Sequence, residues 1–274
     1  MRKQQTIKQT LAWEGIGIHT GAPVTMRLLP APPDTGIIFS CMQKHIPATI
    51  YNISSATRNS NLSAEGITIH TVEHILAALY GMEIDNAVIE LSAPEPPAMD
   101  GSALPFAAGI REAGISKQEQ NVKILSLTRR IVIEEGEQKI AAQPHPGFRI
   151  TYVMNYPDIQ SMKQVFDVEV TPDKFIKEIA PARTFALAQE VESLIASGLA
   201  RGGSLENAVV ISQNGTSTPL RFPEEPARHK VLDIIGDFAL LGVGLRTHII
   251  AVRSGHKQNH NILRKIAEYQ THSP

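Results

Sequence analysis

The chain has 274 residues, 42% of them hydrophobic, and its 26 Lys and Arg against 27 Asp and Glu leave a net charge of −1. That apolar content suffices for one large domain or two of roughly 130 residues, and the charge balance offers no surplus for nucleic acid. With a single cysteine, Cys41, no internal disulfide can form. The N-terminal MRKQQTIKQTLAWEG has no apolar leader core, and the longest apolar run, FALLGVGL (238–245), is far too short to span a bilayer. A soluble, cytoplasmic, monomeric protein with at most peripheral membrane contact is expected.

The first 70 residues are strand-like, with IGIHT, PVTMRLL, GIIFS and ITIH as short β-rich runs between Gly, Pro and Asp. HTVEHILAALYG then takes helical spacing, with Thr71 as its expected N-cap and Gly81 as its stop. DNAVIELS (85–92) reads as a buried strand, SAPEPPAMDGS as a proline-rich loop, and SALPFAAGIREAG (102–114) as a second helix. Strands resume near residue 121: VKILSL, RIVIEE, KIAAQP and FRITYVM. TPDKFIKEIA (171–180) has Thr171 as N-cap and Pro172 at the first helical position. ALAQEVESLIASG (186–198) reads as an amphipathic helix, and the segment around Asn214-Gly215 as a hairpin. A long helix from about 225, strand HIIAV (248–252) and a last helix over 257–270 close the chain.

The two halves end alike, each in the order helix, strand, loop, helix. This predicts an α+β fold of two similar layered domains, 1–118 and 122–274, joined through the polar stretch SKQEQN. Matching helices of the two units would then face each other across a cleft.

That cleft gives meaning to RHKVLDIIGD (228–237). His229, Asp233 and Asp237 recur every four residues, so a helix places them on one face amid Val231, Leu232, Ile234 and Ile235. His74, from the matching helix, would complete with His229 and Asp233 a two-histidine, one-carboxylate set. Such a set leaves a position open on Zn²⁺, or equally on Fe²⁺. Taken alone, each histidine reads better as a hydrogen-bonded core residue. Glu73 beside His74 is placed to serve as a base. Asp237 is placed to orient His256 and favour its cationic form.

Six segments occur in order: TVEH…AAL (71–79), MDGSA (99–103), ARTF (182–185), GLARGGS (198–204), RHKVLDIIGD and SGH (254–256). Together, and with TIKQTL…GIGIHTG (6–21), they make the chain similar to the UDP-3-O-acyl-N-acetylglucosamine deacetylases, zinc amidases of lipid A synthesis. The resemblance implies helices sandwiched between two sheets built from duplicated βααβ-like units, each with a small insert. It implies His74, His229 and Asp233 as metal ligands, Glu73 as general base, and His256, oriented by Asp237, as the cation that protonates the leaving amine. Thr184 would donate to the oxyanion, and Lys230 would meet the polar end of the substrate, a UDP-3-O-acyl-N-acetylglucosamine. The second insert, around 155–195, would form a passage for the acyl chain. By position, Phe185, Ala188, Val191, Ala200, Ser204, Leu205, Ala208 and Val210 would contact the substrate. Two departures stand out. MNYP puts Met154 where the family often has an aromatic for the uracil, leaving stacking to Met154, Tyr152 or Tyr156. Arg253 precedes SGH where lysine is common, which suits a bidentate phosphate grip.

Rival readings are a metal amidase acting on another acylated amine and a silent homologue that only binds. A serine hydrolase is disfavoured because no GxSxG elbow occurs.

Overall fold

The computed structural model describes residues 2–55, 58–156, 159 and 162–271. The first half runs β1 (Lys3–Ile7), β2 (Leu11–Ile16), β3 (Pro23–Pro30), β4 (Ile37–Cys41), β5 (Lys44–Pro47), β6 (Ile53–Ser55), β7 (Asn61–Ala64), β8 (Ile67–Ile69), α1 (Glu73–Gly81), β9 (Ala87–Leu91), α2 (Leu104–Ala113) and β10 (Ile115–Asn121). The second half runs β11 (Ile124–Ser126), β12 (Ile131–Glu135), β13 (Gln138–Pro144), β14 (Phe148–Asn155), β15 (Lys163–Glu169), α3 (Pro172–Lys174), a π-helical turn (Phe175–Ile179), β16 (Phe185–Leu187), α4 (Ala188–Ala196), β17 (Val209–Ser212), β18 (Gly215–Thr216), α5 (Glu225–Ala239), β19 (Gly244–Val252) and α6 (His256–Thr271).

The two large sheets repeat one topology. The first has the order β2-β3-β9-β4-β5 and the second β12-β13-β19-β14-β15, with β11 also on β19. In each, the strand after the helix that carries site residues, β9 after α1 and β19 after α5, lies centrally, antiparallel to one neighbour and parallel to the other. The fold is α+β, with two similar layered units. Burial alternates along the strands that face the helices: Val24, Met26 and Leu28 on β3, and Phe148, Ile150, Tyr152 and Met154 on β14, point into the core. Period-2 patterning thus gives each sheet one apolar face. Helices α1 and α5 pack on each other between the sheets, α2 adjoins α1, and α6 lies on β12 and β13. No helix among the described residues is long and apolar enough to cross a membrane.

Several sequence expectations shift. The strand expected at IGIHT ends at Ile16, and residues 17–20 instead form a loop and turn. SKQEQN is not a bare linker: it belongs to β10, which pairs antiparallel with β1, because its polar side chains sit on a two-stranded ribbon rather than in a core. Thr71 is not the N-cap of α1. Its backbone is left-handed (φ 54°), Val72 flanks the helix, and its hydroxyl turns away to Glu95. TPDKFIKEIA keeps Thr171 as its cap, with Thr171 Oγ1 accepting from Lys174 N, but widens into a π-helical turn after Lys174. The helix expected from residue 186 starts two residues later, after β16 has paired with β17. Within 155–195, β15 completes the second large sheet, whereas the separate three-stranded sheet β16-β17-β18 begins at Phe185.

Candidate metal centre and active site

Helix α5 carries most of the site because its N-terminal end is anchored. Glu225 in its first turn is buried and takes Nε of Arg183 at 2.8 Å, the Arg183 amide at 3.0 Å and the Arg221 amide at 2.6 Å. The same contacts fix the ARTF segment beside the helix. Ala182 O then lies 3.1 Å from His229 Nδ1. A carbonyl only accepts, so Nδ1 holds the proton and Nε2 turns its lone pair inward.

That lone pair faces Asp233 Oδ1 at 3.3 Å. The His74 ring stands edge-on to His229, with centroids 5.1 Å apart and planes at 84°. One donor atom from each of His74, His229 and Asp233 lies within 4.8 Å of the others. Burial, and then the neighbouring His229, bring His74 down to about 3, so it too is a neutral imidazole. Burial works against the charge on Asp233, yet Lys230 and the surrounding histidines hold its carboxyl well below the usual carboxylate range. Lys230 Nζ satisfies only Asp233 Oδ2, at 2.8 Å. The His229 Nε2 lone pair and the Asp233 carboxylate thus face each other without a proton, and His74 adds a neutral imidazole, a set that suits a divalent cation with nitrogen and oxygen ligands.

Two proton-handling groups flank this cluster. Burial pushes the Glu73 carboxyl up to about 8, against the pull of His256 and with help from the Asp233 and Asp237 charges. Burial opposes a charged His256, but Asp237, then Glu73 and Asp233, carry it up to about 9. His256 Nε2 lies 3.8 Å from Glu73 Oε1 and 3.9 Å from Asp233 Oδ2. Its Nδ1 lies 2.9 Å from Asp237 Oδ2, and Asn259 Nδ2 donates to that same oxygen at 2.8 Å.

A cavity of about 250 Å³ opens onto these groups. Glu73, His74, Thr184, Phe185, Ala200, Ala208, His229, Lys230, Asp233 and His256 all contribute to its wall. Ala188, Val191, Ser204, Leu205 and Val210 lie outside that wall, with Ala188, Ser204 and Leu205 exposed to solvent. Leu187 and Leu194 from the same segment take part instead. Met154 is only 1% exposed and belongs to the apolar core, and Tyr152 is spent on a hydrogen bond to Ser254 O at 2.8 Å. Tyr156 alone of the three lines the cavity, under the Arg253 guanidinium at 5.0 Å. Pro157, which completes the MNYP stretch, lies outside the described residues.

Sequence reasoning missed several neighbours. Glu95, 1% exposed, accepts from the His19 and Thr20 amides and from the Thr20 and Thr71 hydroxyls. It thereby ties the GIHTG loop to the start of α1. The His19 carbonyl in turn accepts the Arg201 amide, which holds GLARGG against that loop. Its signal was the E of SAPEPP, hidden in a proline-rich run. Ser60 and His260 lie behind Asp237, Ser60 in an irregular segment and His260 one turn after His256 on α6. Asp237, His256 and His260 could themselves form a metal-ligand group. Ser60 Oγ, however, reaches all three by hydrogen bonds, so they form a network of protein partners.

Two histidines and an aspartate on paired helices, with a carboxylate and a cationic imidazole alongside, define a metal-dependent amidohydrolase of the deacetylase class. The family model described as UDP-3-O-acyl N-acetylglycosamine deacetylase matches residues 4–268. The chain belongs to that family. A relative from Thermodesulfovibrio yellowstonii, named UDP-3-O-acyl-N-acetylglucosamine deacetylase, is 41% identical over 268 residues, covering 97% of this chain and 92% of the relative. Proteins of the same name from Syntrophotalea carbinolica and Chlamydia trachomatis are 42% and 39% identical, over 96% and 99% of this chain and 87% and 97% of their own lengths.

Proposed function

We propose that the chain hydrolyses the acetamide of UDP-3-O-(3-hydroxyacyl)-N-acetylglucosamine to the free amine and acetate, the committed step of lipid A biosynthesis, in the cytoplasm and as a monomer. The observation that carries this reading is the convergence of His74, His229 and Asp233 on one point, with Glu73 and His256 within reach of it. The units 1–118 and 122–274 would each supply part of that centre.

His74, His229 and Asp233 would hold Zn²⁺, with Fe²⁺ an alternative their nitrogen and oxygen donors equally admit. The bound ion would supply Lewis acidity, polarising the acetamide carbonyl and acidifying the attacking water. Glu73 accepts the proton of that water as its oxygen adds to the acetyl carbon. The Thr184 hydroxyl donates to the oxygen that gains charge. His256, held cationic by Asp237, gives a proton to the sugar nitrogen as the C–N bond breaks. Its proximity to Glu73 lets one acid–base pair serve both halves of the reaction. Lys230 stands at the cavity wall with its ammonium tied to Asp233, ready to meet a polar substrate group.

The acyl chain would run along the apolar wall formed by Phe185, Leu187, Leu194, Ala200 and Ala208. Tyr156, rather than Met154, would take the uracil; Arg253, outside the cavity wall and paired with Glu137, would have to leave that partner to meet the phosphates. The test is acetate release from the UDP-linked substrate compared with a nucleotide-free acylated glucosamide, each with and without chelator. Chelator-sensitive release from the first alone supports the reading. Equal rates on both favour an amidase of other acylated amines, and bound metal without turnover favours a silent homologue.

A further inference from the structure

Ser60 comes from the turn that precedes β7 in the first half, and it is 0% exposed. It meets the site through its amide, its carbonyl and its hydroxyl, whose oxygen also lies 3.2 Å from His256 Nδ1. Its amide donates to Glu73 Oε2 at 3.1 Å, and its carbonyl accepts the Val72 amide at the start of α1 at 3.1 Å. Its hydroxyl donates to Asp237 Oδ1 across the interface with α5. The donor role follows from chemistry: Asp237 is held ionised by His256 and His260 despite its burial, and a carboxylate can only accept. With its proton committed to Asp237, the hydroxyl accepts from His260 Nε2 at 2.8 Å. This assigns the His260 proton to Nε2, and Nδ1 of that ring is the buried side-chain atom left without a partner among the described residues.

Asp237 is consequently bound on both oxygens. Oδ1 takes Ser60, and Oδ2 takes His256 Nδ1 and Asn259 Nδ2. We infer that Ser60 is a positioning residue for the hydrolysis: its amide fixes Glu73 and its hydroxyl, backed by His260, fixes Asp237, so one residue sets the spacing between the base and His256. The inference rests on the acid–base roles proposed above for Glu73 and His256. A one-ångström misplacement of a catalytic group is enough to lower a rate substantially. Without the hydroxyl, Asp237 Oδ1 is free to turn toward His260 Nε2, now 3.4 Å away, and His256 turns with the carboxylate.

The substitution Ser60→Ala removes the hydroxyl and keeps the amide bond to Glu73. In the metal-loaded full-length protein, kcat for acetate release is expected to fall about tenfold, with KM and metal content within twofold of the parent. Ser60→Cys, close in size and retaining a weaker donor, should fall between. The His256 Nδ1 proton resonance, shifted downfield by its bond to Asp237, should move upfield in Ser60→Ala. This second readout stands even if the UDP-linked compound proves not to be the substrate, so failure of that reading and failure of this inference are separable. The inference is overturned if Ser60→Ala keeps kcat within twofold and leaves the proton in place. It is equally overturned if kcat falls only in step with lost metal or lowered melting temperature, since that is a folding effect.

Discussion

Gly236 on α5 lies against the backbone of Glu73 on α1 so closely that a Cβ there would stand 2.1 Å from the Glu73 carbonyl oxygen. The two halves cross here backbone to backbone, and His74, His229 and Asp233 flank the crossing. Glycine in a helix interior is usually unfavourable, by about 0.5–1 kcal/mol relative to alanine. Here the close approach outweighs that preference. Gly236→Ala should destabilise the fold by about 1–3 kcal/mol, as overpacking does in a core, and weaken metal binding by parting the helices. Thermal unfolding and metal content of the purified variant measure both; an unchanged melting temperature with full metal content would show that the helices tolerate a wider gap.

The flanking pair sets a pH profile. Catalysis needs Glu73 unprotonated, so the rate rises with pH through its pKa, and needs His256 protonated, so the rate falls above its own. Burial raises Glu73 to about 8, and the nearby carboxylates hold His256 at about 9. A divalent cation beside Glu73 favours its carboxylate, so in the loaded enzyme the acidic limb should lie below about 8. The same cation disfavours a protonated His256, so a bell-shaped kcat/KM is expected with its alkaline limb below about 9. A flat profile from pH ~5 to ~9 would be incompatible with general acid–base catalysis by this pair.

Replacing Glu73 by glutamine keeps its shape and removes its capacity to accept a proton. Glu73→Gln should lower kcat by about 10²- to 10⁴-fold, the usual contribution of a general base, while the ion remains bound, since Glu73 is not among its ligands. Steady-state rates together with elemental analysis check this. Loss of metal in parallel with activity would instead make Glu73 a ligand.

Arg183 and Glu225 form a buried pair at the foot of α5, with side chains 9% and 1% exposed. Arg183→Met would leave the Glu225 charge without its guanidinium. Breaking one side of such a pair costs about 3–5 kcal/mol, and the helix that bears His229 and Asp233 should loosen with it. Urea unfolding gives the stability change, and a loss under ~1 kcal/mol would mean that the Arg183 and Arg221 amides hold Glu225 well enough alone.

How much of this was legible in the sequence depended on periodicity. The i, i+4 spacing of His229, Asp233 and Asp237 is a helical signal, and the three side chains do share the inward face of α5. The duplication was visible because helix, strand, loop, helix recurs, and the repeated strand order of the sheets bears it out. Contacts made by irregular segments were not legible. Ser60 sits in ATRNSNLS and Glu95 in SAPEPP, where no repeat announces which way a side chain points. Thr71 looked like a cap because Thr precedes the helix, but Glu95 and Asn59 hold its hydroxyl and the backbone turns left-handed. Met154 was read from its place in MNYP, whereas the strict alternation of β14 carries it into the core.

The most direct test of the metal centre is a titration of metal-free protein with Zn²⁺ while acetate release from the UDP-linked substrate is followed. The expected result is no activity without metal, a linear rise, and a break at one equivalent that is lost in His74→Ala and Asp233→Ala. Full activity in the metal-free protein, or the same break in both variants, would contradict a single ion shared by His74, His229 and Asp233.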